Sequence, residues 1–210
     1  AGAIADEKLI PNLSKIINAS ADNLIGIQCG LETGSIRLIE KYADRKLAPY
    51  QPEEWHWVVK EAVKTFNENH WIPAFTLIMG LDNDETPEDG WETIRLINEL
   101  EREQPDSMFT ATPLTFIPIG LLEKSEFYDM GNDSDPTQLG VMYKTWQHNF
   151  KYGIKKFMSK TGQRGSIRRL AFNGLARTLG GVPLGAMERF ARRKGREHER
   201  VLEKIKAQYW

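Results

Sequence analysis

Apolar positions along the chain follow two spacings. Ile4, Leu9, Leu13, Ile16 and Ile17 fall near a helical period, which predicts an amphipathic helix over residues 4–18. Asn18 to Asn23 is small and polar and reads as a loop. Leu24 to Cys29 is a short apolar run bounded by glycine, the pattern of a buried strand. Ser35 can cap a helix running to about Ala43. Gln51-Pro52-Glu53-Glu54 opens the next helix, which carries Trp55, Val58, Val59, Ala62, Val63 and Phe66 to about Asn69. Ile72 to Met79 predicts a second strand. Thr86-Pro87-Glu88-Asp89 caps a third long helix, with Trp91, Ile94, Ile97 and Leu100 at core spacing. Met108 to Thr112 begins a third strand, which Pro113 and Pro118 end. Residues 120–140 are loop-like. From Thr137 onward the pattern is helical, interrupted at Gly162–Gly165 and Gly180–Gly185.

Strands alternating with helices of this length predict an α/β fold of βαβ units with parallel strands. Three strands cannot close a barrel, and a parallel sheet buries both faces. The pattern therefore reads as the second half of a (β/α) TIM-like partial barrel in residues 1–120. A loop or linker follows at 121–140, then a basic helical C-terminal subdomain at 141–210.

Composition narrows the setting. Apolar residues make up 40% and charged residues 27%, an ordinary globular balance. No apolar run approaches the length of a membrane span, and Asp6, Glu7 and Lys8 break the only stretch that resembles a secretory signal. The single cysteine, Cys29, excludes an internal disulfide and suits a reducing cytoplasm. It lies inside an apolar strand and reads as a core residue. Residues 1–150 hold 12 Lys and Arg against 25 Asp and Glu, whereas residues 151–200 hold 14 against 3. The basic tail interleaves Ile167, Leu170, Leu175 and Leu179 with arginines. That mixture suits peripheral docking on a membrane, an RNA contact or a partner surface, and equally a cap packed on the acidic part of the same protein.

Two polar turns carry the candidate chemistry. In Glu32-Thr33-Gly34-Ser35 the glycine allows a tight turn, and free amides of the next helix would favour an anion. Glu32 can accept hydrogen bonds from a hydroxyl or an ammonium group. An ordinary capped strand-to-helix turn has the same pattern. Ile78-Met79-Gly80 with Glu85 offers a glycine that can admit a flat ring against the backbone. The acidic run around Asp82 and Asp84 lacks calcium-loop spacing, and His56, His70, His148 and His198 are scattered. No metal ligand and no catalytic residue is assigned within this chain.

The same turns carry a resemblance. Ile25 to Leu31 followed by Glu32-Thr33-Gly34-Ser35-Ile36-Arg37-Leu38 resembles the fourth barrel strand of radical S-adenosylmethionine (SAM) enzymes and the turn after it. Thr76 to Leu81, with Glu85 and Asp89, is similar to their fifth strand. Thr112-Pro113-Leu114-Thr115-Phe116-Ile117-Pro118-Ile119-Gly120 is similar to the sixth. The pattern lies closest to the branch that often carries an upstream cobalamin-binding domain, with methylthiotransferases next.

The resemblance implies an iron–sulfur oxidoreductase or transferase that uses a four-iron four-sulfur cluster and SAM, with cobalamin in some members. Carried over by position, Glu32 would contact the ribose or amino group of SAM, with Ser35 nearby. Ile78 and Gly80 would pack on the adenine, backbone at Thr112 would touch its edge, and Arg45 would face the carboxylate. The family's C-x-x-x-C-x-x-C motif and first three strands are absent from these residues, and Asp82-Asn83-Asp84 stands where the family has Pro-Gly. The implied partner is an N-terminal half of the same protein bearing the cluster ligands, so this chain alone would be inactive. A small-molecule, lipid-like or RNA substrate remains open, and an exposed barrel edge predicts a dimer. The alternative reading is a non-catalytic partner- or RNA-binding module with a basic helical tail.

Overall fold

The structure, a computed structural model, describes residues 1–81, 85–117, 128–150 and 181–208. Its centre is a three-stranded parallel sheet in chain order: β1 (Ile25–Glu32), β2 (Trp71–Met79) and β3 (Thr110–Thr115). The helices are α1 (Gly2–Ala5), α2 (Leu9–Ile16), α3 (Ile36–Leu47), α4 (Trp55–Glu68) and α5 (Pro87–Glu103). After β3 come α6 (Met130–Asp133), α7 (Pro136–His148), helical residues 181–194 (α8) and α9 (Arg196–Ala207). The α/β class and the parallel strands are as the hydrophobic pattern predicts.

Three local differences have physical causes. The first predicted helix is broken in two, because the Asp6 carboxylate accepts the Lys8 amide and turns the chain between α1 and α2. β3 runs through Pro113 to Thr115 instead of ending there. The amide and carbonyl of Ala111 face away from β2 and are taken by the Asn149 side chain. Two residues on, Pro113 lies on that same outer side, where a missing N–H removes no ladder bond. Helical residues 181–194 also pass through Gly181 and Gly185 without interruption. The predicted break at Gly162–Gly165 lies outside the described residues, as do 121–127 of the predicted linker. Residues 130–133 and 136–140 of that linker are helical.

The two faces of the sheet differ. Leu31, Phe75, Leu77, Phe109 and Ala111 enter one core with residues of α3, α4, α5, α7, α8 and α9. The basic tail thus shares its core with the sheet: Met187, Ala191, Leu202 and Ile205 are buried there, and the Lys204 ammonium lies over the Trp91 ring at 4.1 Å. The other face carries Gly26, Gln28 and Gly30 of β1, Ala74, Thr76 and Ile78 of β2, and Thr112 and Leu114 of β3. All are half-buried or exposed. A parallel sheet ordinarily has both faces covered. Among the described residues, nothing pairs with the outer side of β1. Nearby α2 exposes Leu9, Leu13, Ile16 and Ile17, an apolar stripe at helical spacing. Among the described residues no helix is long and apolar enough to cross a membrane.

Candidate site at the carboxyl ends of the strands

β1 ends in a strained turn. The register slips between Gly30 and Glu32, so a bulge precedes the end of the strand. The Thr33 amide donates to the Leu31 carbonyl at 2.7 Å, two residues back, while Glu32 holds φ +62°. That is the rarer γ-turn, and a positive φ costs a non-glycine residue about 1–2 kcal/mol. Strain of this kind collects at functional sites. The turn folds the Glu32 carboxylate back over Gly30, where a Cβ would collide with it, and into an ion pair with Lys46. The ammonium that Glu32 accepts is therefore one from its own chain.

The excursion from Ile36 to Glu54 stays at this end of the sheet. α3 starts directly after β1, departs from helical geometry at Ala43 and brings Lys46 back to Glu32. α4 then begins beside the same turn: the Trp55 indole donates to the Thr33 carbonyl at 2.8 Å, and His56 Nε2 donates to the Gly34 carbonyl at 2.7 Å. Arg45 lies exposed in the last turn of α3, next to the lysine that reaches Glu32.

Ser35 is fully buried, and its surroundings explain the Thr-Gly-Ser sequence. Its hydroxyl donates to Asp89 at 2.5 Å and accepts the Leu38 amide as the N-cap of α3. The amides at the start of α3 are already bonded: Gly34 to Thr93, Ser35 to Thr33 and Ile36 to Glu92. The expected pull of these amides on an outside anion is thereby cancelled. A Cβ on Gly34 would come within 2.5 Å of the Thr93 backbone, so only glycine lets the turn close on α5.

Asp89 is the hub. It caps α5 with Thr86 in a capping box and receives Arg37 Nη2 at 2.7 Å. Burial pushes its carboxyl up, but the hydrogen bonds from Arg37, Ser35 and Thr86 prevail and hold it down at about 2. The sequence pointed to Asp89 as a helix start; that it ties α5 to the β1 turn depends on long-range packing.

β2 ends at Gly80, with φ +74° and the Tyr128 ring against it where a Cβ would stand. The flat ring that this glycine admits is thus supplied by the protein itself. The Tyr128 hydroxyl donates to Gln138 at 2.6 Å, and Gln138 donates to Glu85 at 2.5 Å. Glu85 in turn accepts the Leu81 amide at 2.6 Å. Burial, then the carboxylates of Glu85 and Asp135, push the phenol well above its usual range and keep it a donor. Gly80→Ala forces a left-handed alanine and displaces the ring. A loss of about 2–4 kcal/mol in a denaturant titration is the expected result.

Glu32, Ile78 and Glu85 line one narrow cleft of about 20 Å³, room for a single water. The half-buried or exposed sheet face carries Gly26, Ala74 and Thr76 beside the larger Gln28 and Ile78, with Thr112 on its β3 side, while Gly30 lies beneath the Glu32 carboxylate. Nothing lies within 4 Å of a Cβ built on Gly26. Ile78 is half-buried and Thr112 exposed on that face, at successive strands beside Glu32. The structure thus places Glu32, Ile78 and Thr112 around one surface. Ser35 is enclosed behind them, Gly80 lies under Tyr128, and Arg45 is exposed on the last turn of α3, one residue before Lys46.

Among the described residues no set of three His, Cys, Asp or Glu could hold a metal ion. Burial pushes the Cys29 thiol up, as suits a core residue. Sequence reading missed Lys46, Arg37, Thr93 and Tyr128, whose partners are distant along the chain. No family model, curated protein or solved structure matches the chain.

Proposed function

We propose that these residues form the SAM-binding half of a radical SAM barrel whose cluster ligands lie on an upstream half of the same protein. One observation carries the reading. The three family-like motifs end consecutive parallel strands of a sheet whose opposite face is half-buried or exposed among the described residues, with small and polar residues lining it. The residues fit the nucleoside end of SAM: Gly26, Ala74 and Thr76 offer small side chains to a flat ring, with Gln28 among them as a polar group, Ile78 as an aliphatic wall and Glu32 as a carboxylate. They do not fit the cluster, for which one cysteine is too few.

In this reading Glu32 accepts hydrogen bonds from the ribose or amino group, Ile78 and the β2 backbone pack on the base, and backbone at Thr112 meets its edge. Ser35, Asp89 and Arg37 act by positioning the Glu32 turn, Gly80 by seating Tyr128 as a side wall, and Arg45 by its charge near the mouth. When bound, SAM and the cluster supply one-electron radical chemistry; in a cobalamin-dependent member methyl transfer is added. The open face and the α2 stripe are where the upstream half packs.

The test is SAM binding to the protein encoded by the whole reading frame, beside its Glu32→Gly variant. Glycine relieves the positive φ, so the melting temperature should hold or rise. Loss of a charged acceptor should weaken SAM about 10- to 100-fold. Unchanged affinity overturns the role of Glu32. Anaerobic reconstitution of residues 1–210 alone should give no stoichiometric cluster; an intact cluster would contradict the split of ligands between two halves.

A further inference from the structure

Six cations surround the joint between α8 and α9. Arg189, Arg192, Arg193 and Lys194 lie on the last turns of α8, and Arg196 and Arg200 on the first turns of α9. All six are exposed. Gly195, at φ +121°, separates the two helices. Among the described residues none of the five arginines forms an ion pair or a hydrogen bond to an acidic side chain. Lys194 only covers the Phe190 ring, at 5.6 Å. The other two cations of residues 181–208 are used: Lys206 pairs with Glu188 and Glu203, and Lys204 lies on Trp91. Arg192 lies within electrostatic reach of Glu188, and Glu197 and Glu199 stand on the first turn of α9, so the six cations outnumber the acids at the joint two to one. The thirty residues before α8 add eight Lys and Arg and no Asp or Glu.

We infer that this joint is a docking surface for the phosphate backbone of a nucleic acid strand. Arginine forks match phosphate oxygens in pairs, and five of the six cations are arginine. A lipid surface fits less well, because membrane-surface helices insert an apolar face. Here Met187, Ala191, Leu202 and Ile205, which make up that face, are spent in the core. No aromatic side chain stands exposed among residues 181–208, so the surface reads backbone and not bases. RNA and DNA of one sequence should bind alike. The inference does not rest on SAM binding and survives its failure.

The test is fluorescence anisotropy of the protein encoded by the whole reading frame with a labelled single-stranded RNA of mixed sequence, and with the matching DNA, at several salt concentrations. Five phosphate contacts on a single strand predict an affinity that falls about a hundredfold between 50 and 200 mM salt. The R192Q/R193Q/R196Q variant should keep its melting temperature, bind at least tenfold more weakly at 50 mM salt and lose about two from the slope of log K against log salt. Lysine at the same three positions should restore most of the slope. Absence of binding at 50 mM salt overturns the inference. So does binding that the glutamine variant leaves unchanged, or sedimentation with phosphatidylserine vesicles without RNA binding.

Discussion

Glu101→Ala is expected to destabilise the protein by about 3–5 kcal/mol, enough to unfold much of a marginally stable population at 37 °C. Glu101 stands on α5 and faces Lys144 and His148 of α7. The Lys144 ammonium donates to its Oε2 at 2.6 Å, and His148 Nδ1 lies 2.7 Å from its Oε1. Lys144 is fully buried and His148 nearly so. His148 Nε2 also donates to the Phe109 carbonyl at 3.0 Å, and its ring stacks on Phe109 at 4.0 Å. Removing the carboxylate takes from two buried donors the acceptor they share. Glu101→Gln keeps the shape and one acceptor and should cost less than the alanine. Denaturant titration of both variants reads the difference. A cost under 1 kcal/mol for the alanine would mean that the cluster contributes little to holding α7 on the sheet edge.

The second large effect belongs to Asp89. Asp89→Ala removes the acceptor of Ser35, Arg37 and Thr86 together, and the fully buried Ser35 hydroxyl loses its partner. Arg37 is half exposed and can turn to water, so the expected cost is about 3 kcal/mol. The pH dependence has a definite sign. The folded carboxyl titrates at about 2, below the value near 4 usual in an unfolded chain. Its stabilisation, about 2 kcal/mol, is present above pH 4 and is lost as the pH falls toward 2. Urea midpoints from pH 5 down to pH 2 should therefore drop more steeply in the parent protein than in Asp89→Ala. Parallel curves would show that Asp89 is not the group holding the turn.

The two effects lie on different links of the same chain of cause. Asp89 fixes the turn that carries Glu32, whereas Glu101 fixes the helix whose C-terminal end closes the outer edge of β3. That edge is blunted by His148 and Asn149 accepting or donating to the Phe109 and Ala111 backbone. Among the described residues the unpaired strand edge is therefore that of β1.

Much of this was legible in the sequence because it depends on local chemistry. The apolar runs located all three strands within a few residues, the Pro and acidic or Thr signals placed the starts of α4 and α5, and the helical pattern from Thr137 met the start of α7. The kink at Ala43 coincides with the expected end of the capped helix. The remainder depends on contacts far apart in sequence. Pro113 signalled a strand end, yet Asn149 supplies the edge partner that lets β3 continue. Ser35 was visible as a cap, but its burial under Asp89, 54 residues away, was not. Gly80 announced a seat for a flat ring, while the ring turned out to be Tyr128. The charge asymmetry told that the tail differs from the rest; only the packing separates Lys204 and Lys206, which are used in the fold, from the arginines at the Gly195 joint.

The most direct test of the proposed site is electron paramagnetic resonance of the protein encoded by the whole reading frame, reconstituted anaerobically with iron and sulfide, reduced, and measured with and without SAM. The proposal predicts a four-iron four-sulfur signal whose g values shift when SAM is added, with the shift lost in Glu32→Gly. A reading frame without a C-x-x-x-C-x-x-C upstream of Ala1, or a cluster signal indifferent to SAM, would contradict it.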